Sequence, residues 1–507
     1  MSLQGFANSA IWQGRKAALL RCALAGLAGI LIGLAVLILT DVSLAWVAVA
    51  CVLLVGGVVM LAIGQVRRPL LALLAFVIPF HVGIHFFPLP GIHEGGPSEF
   101  TITLADVILV LLCFLGIAEA SLRRRTRISL FPAVLVPATL FIALGMVSSL
   151  NAGNPLLSVF QIFEFVKGLV FLLFVANTVR DEQDLKWALA GLMGAVLFQS
   201  SLGIYQAIMG RPVGLRMLGE TNSAVRQVIG GQLSIRPVGT FWHPNQLGMF
   251  LGMTLPVIGA LLMVRIDLRM KLGVALVVSL GLIADGFTMS RGSWVGLLLS
   301  TLLLLAFGFW RRILSGRRVF LGLTWLLLVL LAINLATNGV VILRLTSDDA
   351  GSAASRIPLM RGALAIVRDY PIFGSGLNNY QYTIIPYDVS GLLTDMRYSP
   401  VVHNLFLLLA AETGLLGLIA FLWLLAALVS RGFGFSFRAQ SPPILAAAVV
   451  AGLLASEIHV IVENTVAVGL AGDAQMYIEF WFLAGLLLAL TAWSEPRVTQ
   501  AGQSAGV

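Results

Sequence analysis

Fourteen apolar runs dominate this sequence, near 17–39, 42–64, 69–87, 101–119, 131–150, 157–179, 185–208, 247–264, 272–289, 292–309, 319–339, 401–427, 443–463 and 475–492. A helix needs about 20 apolar residues to cross the hydrocarbon of a bilayer. The runs therefore predict an all-α polytopic membrane protein with about 14 (12–14) transmembrane helices. Composition agrees: 59% of the 507 residues are hydrophobic and 11% charged, too little polar surface for a fold in water. The run 69–87 is the weakest, because Pro79, His81 and His85 interrupt it.

Basic residues set the expected orientation. With a cytoplasmic N-terminus, 20 of the 32 Lys and Arg face inward, among them the run Arg123-Arg124-Arg125-Thr126-Arg127. Both termini are then cytoplasmic, and the net charge of +9 is mostly a topology signal, matched by anionic lipid rather than nucleic acid. The outward loops 209–245 and 340–402 break the pattern with nine arginines and no lysine. A tenth, Arg291, lies at the tip of the short turn between the runs 272–289 and 292–309. A planar guanidinium fork grips phosphate well, so this asymmetry points to an anion held on the outer face. Lone arginines also snorkel to lipid headgroups, which is the competing account for each one singly.

Three segments carry candidate chemistry. His403 opens a span after the long loop, where an imidazole with an ordinary pKa of about 6.5 suits a general base, or merely an interfacial hydrogen bond to a headgroup. Glu412 lies about 2.5 turns further on, on the opposite face of an ideal helix, and reads as structural. The stretch Arg236 to Gly248, with His243, Asn245 and Gln246, reads as a re-entrant cavity edge; Trp242 within it reads as an interfacial anchor. Thr288–Trp294 holds Arg291 at a hairpin tip. Within the long loop, 355–370 has the spacing of an amphipathic interfacial helix, followed by a Gly/Asn turn at 374–379. Its tyrosines, Tyr380 among them, stack on sugar rings or anchor at the interface. Within the spans, Glu164 with Lys167 and His459 with Glu463 are each one turn apart, whereas Asp106 and Asp285 need partners. Cys22, Cys51 and Cys113 lie in spans and offer no disulfide framework, and no metal motif is present, so a reaction without metal or cofactor is expected.

The segments RPVGTFWHPNQLGMFL, SRGSWVGLL, RIPLMRGALAIVRDYPIFGSGLNNY and HNLFLLLAAETGLLGLIAFLWLL, in this order along the chain, resemble the O-antigen ligase and polymerase superfamily. The resemblance covers roughly 200–430, dividing the chain into N-terminal helices (1–208), a ligase-like region (209–492) and a short tail (493–507). It implies a metal-independent, inverting GT-C-type glycosyltransferase of the bacterial inner membrane, with its site on the periplasmic side. The implied donor is a glycan on undecaprenyl pyrophosphate, and the acceptor is lipid A core for a ligase or a second glycan for a polymerase. By the same resemblance His403 is the catalytic base, and Arg236, Arg291, Arg356 and Arg361 bind the donor diphosphate. Asn404, His243, Asn245 and Tyr380 are candidates for acceptor binding or support. A different class also stays open: a transporter or flippase of an anionic lipid or sugar phosphate, which intramembrane charges would equally suit.

Overall fold

The computed structural model describes residues 67–89, 95–123, 128–221, 225–229, 232–346, 356–388, 401–438 and 444–493. The runs 17–39 and 42–64 lie outside these residues. Ten helices among the described residues are long and apolar enough to cross a membrane. They are α3 (Pro132–Ser148, extended by a 3-10 turn to Asn151), α4 (Pro155–Thr178), α5 (Glu182–Met209), α6 (Pro244–Gly259, extended likewise to Met263), α7 (Leu268–Thr288), α8 (Arg291–Trp310), α9 (Gly316–Ala336), α13 (Leu405–Arg438), α14 (Ile444–Glu463) and α16 (Ala474–Ala492). Shorter helices are α1 (Arg67–Val77), α2 (Leu104–Arg123), α10 (Val340–Thr346), α11 (Arg356–Asp369), α12 (Tyr380–Thr383) and α15 (Gly469–Gly472). The protein is thus a mostly helical, multi-pass membrane protein.

The run 69–87 does not form a continuous span. Helix α1 stops at Val77, two residues before Pro79, as expected where the proline ring and missing N–H oppose another turn. The chain then enters an antiparallel pair, β1 (Gly83–Phe86) and β2 (Phe100–Thr103), with His85 opposite Thr101. Helix α2 starts where Thr103 and Asp106 cap each other: Thr103 N–H donates to Asp106 Oδ2 at 2.7 Å, and Asp106 N–H to Thr103 Oγ1 at 3.2 Å.

Helices α6, α14 and α16 form the buried centre, and α9 lies almost wholly exposed at the periphery, facing lipid in a bilayer. Close approach depends on small residues. Helices α6 and α8 grip the fully buried His459 of α14 with Gly252 and Gly296. A Cβ on Gly252 would fall 1.8 Å from His459 Cε1, and one on Gly296 would fall 2.7 Å from Nδ1. Gly252→Ala is therefore expected to lower stability by about 1–3 kcal/mol through overpacking. Thermal unfolding in detergent checks this against Gly273→Ala, where the added Cβ meets nothing within 4 Å.

Several of the intramembrane charges find one another. Lys167 Nζ lies 2.8 Å from Glu164 Oε2, 3.2 Å from Asp106 Oδ2 and 3.1 Å from the Thr101 carbonyl, while His459 Nε2 lies 2.7 Å from Glu463 Oε2. Asp285 accepts the Ser293 hydroxyl at 2.6 Å, joining α7 to α8. Satisfying a buried charge in this way avoids a penalty of several kcal/mol.

The Gly/Asn turn is locked into α13 rather than left as an open phosphate loop. Gly414 breaks the helix at φ 71° and ψ −179°, and the freed carbonyls of Ala411 and Glu412 accept N–H groups of Ser375 (2.9 Å) and Gly376 (3.1 Å). Leu415 N–H donates in turn to the Pro371 carbonyl at 2.8 Å. The backbones approach too closely for side chains: a Cβ on Gly374, at φ 74°, would lie 2.2 Å from the Glu412 carbonyl oxygen. The Glu412 carboxylate accepts Tyr380 N–H at 3.1 Å, the structural use expected of it.

Candidate active site

The site is built where the chain's polar segments meet at one end of the helices. The first wall is the turn 237–243 between α6 and a hairpin, β3 (Val225–Ile229) and β4 (Gln232–Arg236). Val238, Thr240 and Phe241 are buried, so their backbone must be satisfied without water. Two glutamines of α5 do this. Gln206 Oε1 accepts Val238 and Gly239 N–H, its Nε2 donates to the Gly239 carbonyl, and Gln199 Oε1 accepts Thr240 N–H at 3.1 Å.

Gln206 also donates to Glu220, which accepts the N–H groups of Val213, Gly214 and Leu215. Burial opposes ionisation of Glu220, but these hydrogen bonds outweigh it and hold its carboxyl below the ordinary value. The loop before the hairpin is thereby tied to α5.

His243 caps α6. Its Nδ1 accepts Asn245 N–H at 3.1 Å, and Gln246 Oε1 returns a bond to His243 N–H at 2.8 Å. Although His243 is exposed, crowding by nearby protein atoms pushes its pKa from 6.5 down to about 4, assisted by the positive charges of Arg236 and His403. The ring is therefore neutral near pH 7, and with Nδ1 accepting, its proton is on Nε2. Asn245 joins His243 to Arg236, giving its N–H to the ring and accepting the guanidinium on Oδ1.

Arg236 is buried, with Nε donating to the Thr288 carbonyl at 2.6 Å, one terminal nitrogen to Gln227 Oε1 at 3.1 Å and the other to Asn245 Oδ1 at 2.7 Å. It thus covers the carbonyl end of α7. Arg344 on α10 does likewise, donating from Nε to the Met289 carbonyl at 3.3 Å, while Met289 and Val340 pack together beneath. Two residues on, Arg291 begins α8, capped by the Ser290 hydroxyl. Arginines from three separate segments meet at one hairpin tip. Arg344 went unselected in the sequence; its only signal was being an arginine in an outward loop.

The hairpin tip adjoins the segment that seats His403. A Cβ on Gly292 would lie 2.8 Å from Val466 and 3.7 Å from Glu463. Just beyond, the carbonyls of Asn464 and Ala467 accept Leu405 N–H, and Thr465 accepts the Asn404 amide at 3.0 Å. Asn404 Oδ1 takes Leu407 N–H at 2.9 Å and so caps α13. His403, half-buried, stands in a tight turn between this cap and fully buried Val402. Helices α6, α8 and α13 all present N-termini at this mouth, and their dipoles favour an anion.

Arg356 and Arg361 lie on α11, which buries Gly362, Ala363 and Ile366 and packs with Val402 and Leu408. Arg356 is half-buried and Arg361 exposed, on an element adjoining His403. Tyr380 differs from the sugar-stacking reading. Its ring is 2% exposed and its hydroxyl donates to the Leu359 carbonyl at 3.0 Å, so it supports α11 by packing. Among the described residues, no group of three or more His, Cys, Asp and Glu could hold a metal ion.

Residues 274–422, from within α7 to within α13, match the family model described as O-antigen ligase. The match supports a relation of this stretch to the O-antigen ligase and polymerase superfamily. No curated protein matches the chain. The matched stretch includes Arg291, Arg344, Arg356, Arg361, Tyr380, His403 and Asn404, and ends short of Arg236, His243 and Asn245. The match supports a glycosyltransferase-like enzyme with a lipid-linked glycan and an acceptor as its partners.

Proposed function

We propose that the protein is an inverting glycosyltransferase that moves a glycan from undecaprenyl pyrophosphate to an acceptor hydroxyl at the outer face of the inner membrane. The observation that carries this reading is that Asn245 joins Arg236 to His243, within reach of the charge of His403, while Arg236 also binds the arginine-bearing hairpin tip. His403 removes the acceptor's proton as its oxygen attacks the anomeric carbon. The bond from that carbon to the pyrophosphate oxygen breaks, and its electron pair leaves on the diphosphate. Arginines and helix N-termini already fixed in position stabilise the growing negative charge, so the reaction runs without a metal. Arg236, Arg291, Arg356 and Arg361 are the proposed diphosphate ligands, and Arg344 joins them by its place at the tip. The ligase-type acceptor, lipid A core, is favoured here; a second lipid-linked glycan would make the enzyme a polymerase.

Protein reconstituted in lipid, given a pyrophosphate-linked oligosaccharide, is expected to release undecaprenyl pyrophosphate when lipid A core is added. Release with a ladder of longer glycans and no core would assign polymerase instead. Movement of intact donor across the bilayer without release would overturn the enzyme reading in favour of a flippase.

A further inference from the structure

His81 lies outside the chemistry proposed above, yet it touches the turn that carries His243. Its Nδ1 is 3.0 Å from the carbonyl oxygen of Thr240, and its Nε2 is 3.3 Å from Asp473 Oδ2. A carbonyl and a carboxylate both only accept hydrogen bonds, so the ring satisfies both partners only when each nitrogen carries a proton. Its faces are also enclosed: Phe241 and Trp242 meet the ring edge-on at 5.6 and 5.9 Å. Asp473 is itself fixed, because Oδ1 caps α16 by accepting Gln475 and Met476 N–H at 2.9 and 3.0 Å. The other titratable groups on the packed elements are Glu220, His243 and Glu479. Glu220, next to Gly219 against His81, binds Gln206 and the N–H groups of 213–215; His243 is held to Asn245; Glu479 is buried on α16, where its charge acts on Asp473.

We propose that His81, as an imidazolium bridging Thr240 and Asp473, is a positioning residue that clamps the turn 237–243 and with it His243 in the site. The effect on transfer rests on the function proposed above; the clamp itself does not. A ring that carries only one proton must give up one of these bonds, and its lone pair then faces either a carbonyl or a carboxylate. The turn loosens and His243 shifts. A misplacement of about 1 Å costs on the order of 100-fold in rate.

Asp473→Asn tests this sharply. The Asn oxygen keeps the α16 cap, while its amide replaces Oδ2 with a donor. That donor suits neutral His81, whose Nε2 then accepts while Nδ1 still donates to Thr240. Backbone hydrogen exchange over 236–246 is followed by mass spectrometry against pH in wild type and Asp473→Asn at matched pH, alongside transfer kinetics. The expected result is an inversion: wild type is better protected at acid pH, and Asp473→Asn at alkaline pH. The alkaline fall in wild-type kcat should move with it. His81→Ala should lose protection at every pH and on the order of 100-fold in kcat. Equal pH dependence of exchange in wild type and Asp473→Asn would overturn the clamp. Inverted exchange with unchanged kcat profiles would overturn the positioning role. Absence of any transfer by wild type would count against the proposed function alone, since exchange still decides the clamp.

Discussion

His403→Ala is expected to slow glycan transfer by about 10²–10⁴-fold, the usual contribution of a general base, while the protein stays folded. The fold should tolerate the change because what seats this turn lies on either side of His403. Val402 is fully buried in the cluster with Ala363 and Leu408, and Asn404 caps α13 while donating to Thr465. Those contacts remain when the imidazole is removed. An unchanged unfolding temperature with a collapsed kcat separates loss of the base from loss of the fold. His243 does not substitute as a base: its Nδ1 is committed to Asn245 and the Nε2 position holds the proton. A low pKa of about 4 also keeps His243 neutral near pH 7.

The second large effect is expected at Arg236. Arg236→Lys keeps the charge and loses the fork. Three acceptors from three elements, Thr288, Gln227 and Asn245, take bonds from one planar group, and an ammonium on a flexible stem does not reach all of them. Each lost bond from a charged donor costs about 1.5–3 kcal/mol. Unfolding temperature should fall, and the KM for donor should rise roughly 10-fold or more, because the turn bearing His243 and the tip bearing Arg291 are no longer joined. Arg361→Lys is the contrast. That residue is exposed on α11, so its replacement should change donor KM without lowering the unfolding temperature. Equal stability of Arg236→Lys and wild type would contradict its place in the architecture.

Much of this architecture is legible in hydropathy and spacing. The long apolar runs of the C-terminal half become spans, and pairs one turn apart, Glu164 with Lys167 and His459 with Glu463, meet as their spacing requires. Asp106 looked isolated because its charged partner, Lys167, comes from helix α4, and no local pattern encodes that meeting, although its cap with Thr103 is local. The run 69–87 misled because average hydropathy outweighed its breakers, whereas a proline two residues past Val77 decides the backbone. The hairpin at 225–236 gave little signal in a short polar loop. The anchoring roles of Gln199 and Gln206 were invisible for a related reason: glutamine in an apolar helix has no meaning until a re-entrant turn brings unsatisfied N–H groups to it. The residue types of the proposed site, a histidine after a long loop and a set of arginines, were legible in the sequence. The gathering of Arg236 with Arg344 on the α7 carbonyl end required the fold.

The most direct test of the central claim separates binding from chemistry in one preparation. Wild type and His403→Ala, reconstituted in the same lipid, are given labelled undecaprenyl-pyrophosphate oligosaccharide and acceptor, and bound donor and released undecaprenyl pyrophosphate are measured on the same samples. The account predicts that His403→Ala binds donor as wild type does and releases almost no pyrophosphate carrier. Release by His403→Ala at the wild-type rate would contradict it.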